Sequence, residues 1–409
     1  MCVVATTLIA RAASGAEPAA LVVDQLRIVE FKQTIADLAS FGSRYWDQPG
    51  NALAVDYIRD KLESFGYANV TLDPYVFRGE LRHNVYATKV GIVRPAEMYI
   101  VSAHLDSFSR VDVRDAPGAD DDASGTALVL EVARVFASVE TDVSVRFILF
   151  NNEETGLNGS RAYVAAHRDD RGTLTEPTWL GVIQHDMILF DRFREPDADV
   201  EYRASQAFRG RAIDLAHIVA GAMTRFGTLP AEVSDSMCCT DSVSFASDAP
   251  AISVRENRRQ AEIGTGSNPH YHQPTDLAET YTEADYAFGF EIVKMTTGAV
   301  AELAGIRGPD CNLNGVADDE DIADGTSRDQ NRNGVPDECE RHRFGDTDDD
   351  GDIDLLDCFS GPGIEPAQAC CAPGSPDPAV CDSPGDLDRD GDIDLADVVT
   401  FQAEFTGST

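Results

Sequence analysis

The sequence predicts a layered α/β domain followed by a small acidic module built from loops. Three observations carry this. From about Val22 to Ile306, short apolar runs alternate with amphipathic helical patterns, the signature of sheet and helix layers sharing a core. After Ile306 the texture turns to Asp, Asn and Gly repeats with Pro-rich spacers, and no long apolar period survives. Charge divides at the same place: of a net −38, the stretch from Gly308 onward holds 27 acids against 5 bases, which marks it as a separate module.

Residues 1–20 are expected to form a signal or leader segment, because Cys2 to Ala10 is apolar and small residues from Ala12 to Ala16 follow. The segment lacks a basic start, and a frayed terminus is the alternative. The first domain then covers 21–307. In it Met98–Ala103 reads as a buried strand, Ser124–Ala137 as a helix with Leu128, Val132 and Val135 on one face, and Val143–Phe150 and Leu180–Ile183 as further strands. Helices are expected at Arg211–Arg225 and Glu283–Leu303. The tail divides into 308–343 and 344–409. At 409 residues and 43% hydrophobic, the chain has enough apolar material for a real core. After the leader, no run is apolar over the roughly 20 residues that a membrane span needs. So acidic a chain repels phosphate backbones and anionic lipid surfaces, which makes nucleic acid a poor partner and cations good ones. Of nine cysteines, eight follow Cys2 and six lie in the tail. This pattern fits disulfides in an oxidising compartment, and a secreted or cell-surface location is expected.

The unusual residues fall just after the predicted strands, where an α/β fold gathers side chains into one crevice. His104-Leu105-Asp106 follows the first strand, and Gly118 to Gly125, with Asp120-Asp121-Asp122 inside it, opens the helix. Asn151-Asn152-Glu153-Glu154 follows the next strand and His185-Asp186-Met187 the third; Tyr271-His272-Gln273-Pro274-Thr275-Asp276 comes last. Taken singly, each has an ordinary reading as a surface histidine, a helix cap or a solvated pair of glutamates. Together they place imidazoles and carboxylates in one pocket, a donor set suited to zinc. Two such ions about 3.5–4 Å apart need a bridging carboxylate, and hydrolysis needs another carboxylate that stays off the metal to move protons.

These residues resemble the bacterial di-zinc aminopeptidases of the secreted leucyl aminopeptidase type, relatives of glutaminyl cyclases and the transferrin receptor ectodomain. The resemblance covers roughly Val22 to Ile306. It implies a three-layer α/β/α zinc exopeptidase domain with a mostly parallel mixed sheet, two Zn2+ ions and peptide substrates. By motif, Asp121 would bridge, His104 and Asp186 would complete one zinc, and Glu154 and His272 the other. Glu153 matches the general base, Asp106 the carboxylate that orients His104, and Tyr271 a tyrosine that hydrogen-bonds the oxyanion in some members. The chain departs from the family where many members read Ser-Asp-His: here it reads Thr240-Asp241-Ser242, with no arginine before it. Cys238 and Cys239 stand where some relatives have a disulfide, but adjacent cysteines bridge only with strain. The resemblance implies an aminopeptidase; a carboxypeptidase, a glutaminyl-cyclase-like enzyme and a non-catalytic receptor-like ectodomain are the alternatives.

Four tail segments fit a calcium-loop template, with oxygen ligands at positions 1, 3, 5, 9 and 12 and Gly at 6. They are Asp310, Asn312, Asn314, Asp318, Asp321; Asp329, Asn331, Asn333, Asp337, Glu340; Asp346, Asp348, Asp350, Asp354, Asp357; and Asp386, Asp388, Asp390, Asp394, Asp397. The spacing argues for Ca2+ binding over a disordered acidic tail. The earlier pair resembles thrombospondin type 3 repeats, bracketed by Cys311 and Cys339. The later pair resembles dockerin repeats, which implies a cohesin-like or cell-surface partner. Cys358, Cys370, Cys371 and Cys381 lie between those later loops in a long spacer and allow three pairings.

Overall fold

The computed structural model describes residues 18–190, 196–256, 268–306, 316, 318–329 and 336. The helices of the first unit are α1 (Pro18–Val23), α2 (Ile28–Ser40), α3 (Pro49–Ser64), α4 (Ala123–Phe136), α5 (Asn158–His167), α6 (Arg209–Phe226), α7 (Ser242–Phe245) and α8 (Glu283–Ala304). Its strands are β1 (Thr71–Phe77), β2 (Glu80–Lys89), β3 (Arg94–His104), β4 (Val143–Phe150), β5 (Thr178–His185), β6 (Ala198–Tyr202), β7 (Ala231–Ser234) and β8 (Ala251–Arg255). The predicted strands and helices are all present, with ends shifted by a few residues.

The strands form one sheet in the order β1-β2-β4-β3-β5-β8-β6-β7. The four central strands, β4, β3, β5 and β8, run parallel, while β1, β2 and β6 join antiparallel to a neighbour. Helices cover both faces. Val101, Ala103, Val145, Phe147 and Leu149 pack into the larger core with Phe31, Leu38, Ile292 and Val293. Met98, Ile100, Ile148, Phe150 and Val182 face the other way, onto Tyr163, Val164 and Phe245. Alternate residues of one strand thus enter different cores, so the central strands read as mostly apolar runs, broken in β4 only by Ser144 and Arg146.

Helix α4 differs from its expected single apolar face: every residue but Arg134 is buried. It is sandwiched between β3 and β4 on one side and α2 and α8 on the other, so only its last turn reaches water. Helix α8 starts at a capping box in which Thr282 and Asp285 satisfy each other's backbone N–H groups, and it ends at Gly305 with φ 64°, the left-handed conformation that glycine adopts without cost. Helix α1 crosses position 20, where the leader was expected to end, and its Ala19 and Val22 belong to the larger core. No helix among the described residues is long and apolar enough to cross a membrane.

A second unit, Gly308–Thr409, separates from Met1–Arg307. Its described helix, α9 (Asp318–Asp324), carries Asp318 and Asp321, both buried. Asp329 is also described. The other proposed calcium positions and all six tail cysteines lie outside the described residues, as do residues 1–17 of the leader.

Candidate active site

The donors converge because parallel strands end together. His104 is the last residue of β3, Glu153 and Glu154 follow β4, and Asp186 follows β5. These three strands are neighbours, with β3 in the middle. Asp121 comes from the turn into α4, and His272 from the segment before α8. Gly118 permits that turn: its φ is 58°, and a Cβ there would collide with the Asp121 carbonyl.

His104 Nε2 lies 3.2 Å from Asp121 Oδ1. His272 Nε2 lies 3.1 Å from Asp121 Oδ2 and 2.9 Å from Glu154 Oε2. Ligand atoms of His104, Asp121 and Asp186 fall within 4.8 Å of one another, and so do those of Asp121, Glu154 and His272. All five predicted ligands are therefore gathered into two sets, and Asp121 is common to both. Buried Glu154 Oε1 has no hydrogen-bond partner, a costly state for a carboxylate that a cation would relieve. The donor atoms thus fit a pair of cations of the zinc type. Glu153 belongs to neither set but lines the same cavity of about 290 Å³, with Asp121, Glu154, Asp186, Leu157, Cys239, Tyr271 and His272.

Charge here is organised by burial and pairing. Burial raises the Asp121 carboxyl, yet hydrogen bonds from His104 and His272 outweigh it and hold the group well below the usual carboxylate range. Burial lowers His272, but Asp121 and Glu154 bring it up to about 9. Glu154 is pushed up to about 7 by burial and by the Asp121 charge. Glu153 is raised well above the ordinary glutamate value, by burial first, with His104 opposing and Glu154 and Asp241 adding. A glutamate displaced in this direction holds a proton more readily than a free one.

Around the donors, a layer of acids ties loops together. Asp106 Oδ1 and Oδ2 accept the backbone N–H groups of Glu153 (3.0 Å) and Glu154 (3.2 Å). Its carboxylate is 3.5 Å from His104 Nδ1, while the Asp106 carbonyl lies nearer at 3.1 Å. Asp106 was expected to orient His104; the structure adds that its carboxylate holds the Glu153-Glu154 backbone. Asp122 caps α4 through Gly125 N and also accepts the N–H groups of His104 and Met187. Asp276 accepts from Asp120 N and Asp121 N, pinning the His272 segment to the Asp121 turn. Arg44, fully buried, donates to Leu105 O and Gly118 O on either side of that turn. Of six non-glycine residues with positive φ among the described residues, Asn152, Leu157, Met187, Cys239 and His272 lie at or beside this cavity. Such backbone clusters where a site needs its side chains aimed.

Tyr271 stacks on His272 with ring centroids 3.8 Å apart and lines the cavity. Cys238 carries a free thiol. Two residues were missed as participants. Asp241 is buried, and burial pushes its carboxyl up to about 7, with His104 opposing and Asp106 and Asp186 adding. Arg255, also buried, reaches Asp186 at 3.6 Å from the end of β8. Asp241 had a signal in the Thr240-Asp241-Ser242 motif, whereas Arg255 meets the site through strand order, from β8 beside β5.

Residues 84–292, half of the chain, match Peptidase family M28. The chain belongs to that family. A probable zinc metalloprotease of Pyrenophora tritici-repentis is 34% identical over 177 residues, 38% of this chain and 36% of that protein; the M28 chain thus spans little more than a third of that relative. Leucine aminopeptidase 1 of Trichophyton equinum is 24% identical over 290 residues, 67% of this chain and 73% of that one. Among solved structures, Legionella pneumophila LapA aminopeptidase is similar in fold, with TM-score 0.59 and 20% identity over 73% of this chain and 78% of that one.

Proposed function

We propose that this M28 chain is a zinc-dependent exopeptidase that removes amino-terminal residues from peptides, with two ions held by His104, Asp121 and Asp186 and by Asp121, Glu154 and His272. The observation that carries the reading is Asp121, one carboxylate shared by two donor sets beside an uncommitted glutamate. Bound zinc supplies a polarised scissile carbonyl and an acidified water. Glu153 takes the proton of the attacking water and returns it to the leaving amine. Tyr271, at the cavity wall, donates a hydrogen bond to the carbonyl oxygen as charge develops there and keeps its proton. Asp106 keeps Glu153 and Glu154 in register by holding both backbone N–H groups. The amino end of the substrate is favoured by the likeness to leucine aminopeptidase 1 of Trichophyton equinum, which extends over 67% of this chain and 73% of that one.

The test compares aminoacyl-anilides with the same substrates acetylated at the amine. Turnover of the free-amine forms only, abolished by chelation and restored by zinc, is the expected result. Release of carboxy-terminal residues from blocked peptides, or ammonia release from glutaminyl peptides, would replace the reading with a carboxypeptidase or a cyclase.

We further propose that residues 308–409 bind calcium through the four loops, serve attachment to a cohesin-like or cell-surface partner, and belong to a protein exported from the cell. The repeated oxygen spacing with Gly at position 6 supports this, as does the export-type leader pattern. Calcium titration of the full chain by calorimetry should show binding that chelator reverses; no calcium heat would remove the assignment.

A further inference from the structure

The cavity accounts for one residue of a substrate, and the way out of it is paved with rings. From His272, contacts run edge-on to Phe108 at 5.0 Å between centroids, then to Tyr45 at 5.6 Å, Trp46 at 6.4 Å and Phe77 at 5.2 Å. Three separate segments supply them: the connection between α2 and α3, the end of β1, and the loop after β3. Core rings such as Phe31, Phe147 and Phe150 are fully buried, whereas all four of these are half-buried and keep a surface open to solvent. Tyr75 and Phe77 share the face of β1 on this side, and Tyr75 donates to Asn152 Oδ1 beside Glu153.

Guanidinium groups lie on the same rings. Arg78 stacks over Trp46 and Phe77, Arg82 over Trp46, and Arg110 over Tyr271 at 4.9 Å. Arg82 is paired with Glu80. Arg78 and Arg110 are exposed and form no ion pair among the described residues. In a chain of net charge −38, exposed cations left without carboxylates along rings that begin at cavity-lining Tyr271 and His272 are an uncommon arrangement. Stacking fixes their planes while leaving the N–H edges free to bind a carboxylate in bidentate fashion.

We propose that this strip binds the substrate beyond the bond that is cleaved and selects acidic peptides, with Arg78 and Arg110 taking carboxylates and the rings taking apolar or aromatic side chains between them. The proposal rests on the exopeptidase reading and names its substrate class. Direction follows from the exopeptidase reading: the residue to be removed occupies the cavity, whose described lining has no Lys or Arg, and the acids later in the peptide lie outward on the arginines. An extended residue spans about 3.5 Å, so four ring-to-ring steps hold several residues.

The test measures kcat/KM for Leu-Ala-Phe-Asp-Glu against Leu-Ala-Phe-Lys-Lys. The acidic peptide should be preferred at least about tenfold at low salt, chiefly through KM, and the ratio should shrink at about 0.5 M salt. Arg78→Glu with Arg110→Glu should turn the ratio below one, while Arg78→Lys with Arg110→Lys should keep acidic peptides ahead. A ratio near one in the native chain, or one unmoved by charge reversal, overturns the proposal. Binding of the same peptides to Glu153→Gln protein, read from Trp46 fluorescence, makes the test independent of turnover, since the other tryptophan, Trp179, is buried. Tighter binding of the acidic peptide without any hydrolysis by the native chain would overturn the exopeptidase reading and leave the strip standing; equal Kd values would remove the strip.

Discussion

Among the described residues, three groups of acidic or imidazole side chains come close enough to hold a cation: two that share Asp121, and a third made of Asp197, Asp199 and Glu232. The third arises from register. Strands β6 and β7 pair so that Asp199 faces Glu232, on the last two strands of the sheet, with Glu232 exposed. It has no imidazole and shares no ligand with another group. The groups around Asp121 are buried, mix histidine with carboxylate, and are braced by Asp106, Asp120, Asp122 and Asp276 through backbone N–H groups. Proximity of acids is thus cheap on a sheet edge, and what distinguishes a site is that its supporting atoms are spent on holding its donors still.

The comparison is broken most directly at Asp121. Asp121→Ala should remove both metal equivalents and take activity to background, because each donor set loses its common member and two cations would face each other unshielded. Metal analysis showing one equivalent retained would instead mean a mononuclear site. Next in size is Glu153→Gln, which should keep both equivalents and lower kcat by about 10²- to 10⁴-fold; loss of metal would make Glu153 a ligand. Asp106→Asn should cost about 10- to 100-fold in rate or metal affinity, since an amide can accept only one of the two N–H groups that the carboxylate holds. Normal kinetics in that variant would show the Glu153-Glu154 backbone to be set by the chain alone. The smallest effect is expected at the sheet edge: Glu232→Ala should leave metal content unchanged and the rate within about twofold. A lost equivalent there would make the third group a site after all.

Much of the fold was legible because its signals are local. Six of the eight residues of Val143–Phe150 are apolar and the segment is a strand along its whole predicted length, and the periodic stretch from Glu283 gave a helix ending within one residue of the expected position. Helix α4 was read with one apolar face because periodicity reports contrast, and a helix enclosed by sheet and helices has little contrast to report. Three of the five candidate donors, His104, Glu154 and Asp186, were legible as residue types at or after strand ends, Asp121 before a helix start and His272 by motif alone, and the structure gathers all five.

By itself, the sequence determined which chemistry is present: His104, Asp121, Glu154, Asp186 and His272 as donors, Glu153 beside them, and an acidic, loop-patterned tail after Gly308. Strand order decided the rest. Because β3 lies between β4 and β5, His104 sits between Glu154 and Asp186, and Asp121 faces both donor sets at once. The same order brings Arg255 to Asp186, and the tertiary packing lines up Phe108, Tyr45, Trp46 and Phe77 from three distant segments. Periodicity and spacing reflect interactions within a few residues of chain, whereas these juxtapositions join residues tens to hundreds of positions apart, and only the burial of both sheet faces sets their order.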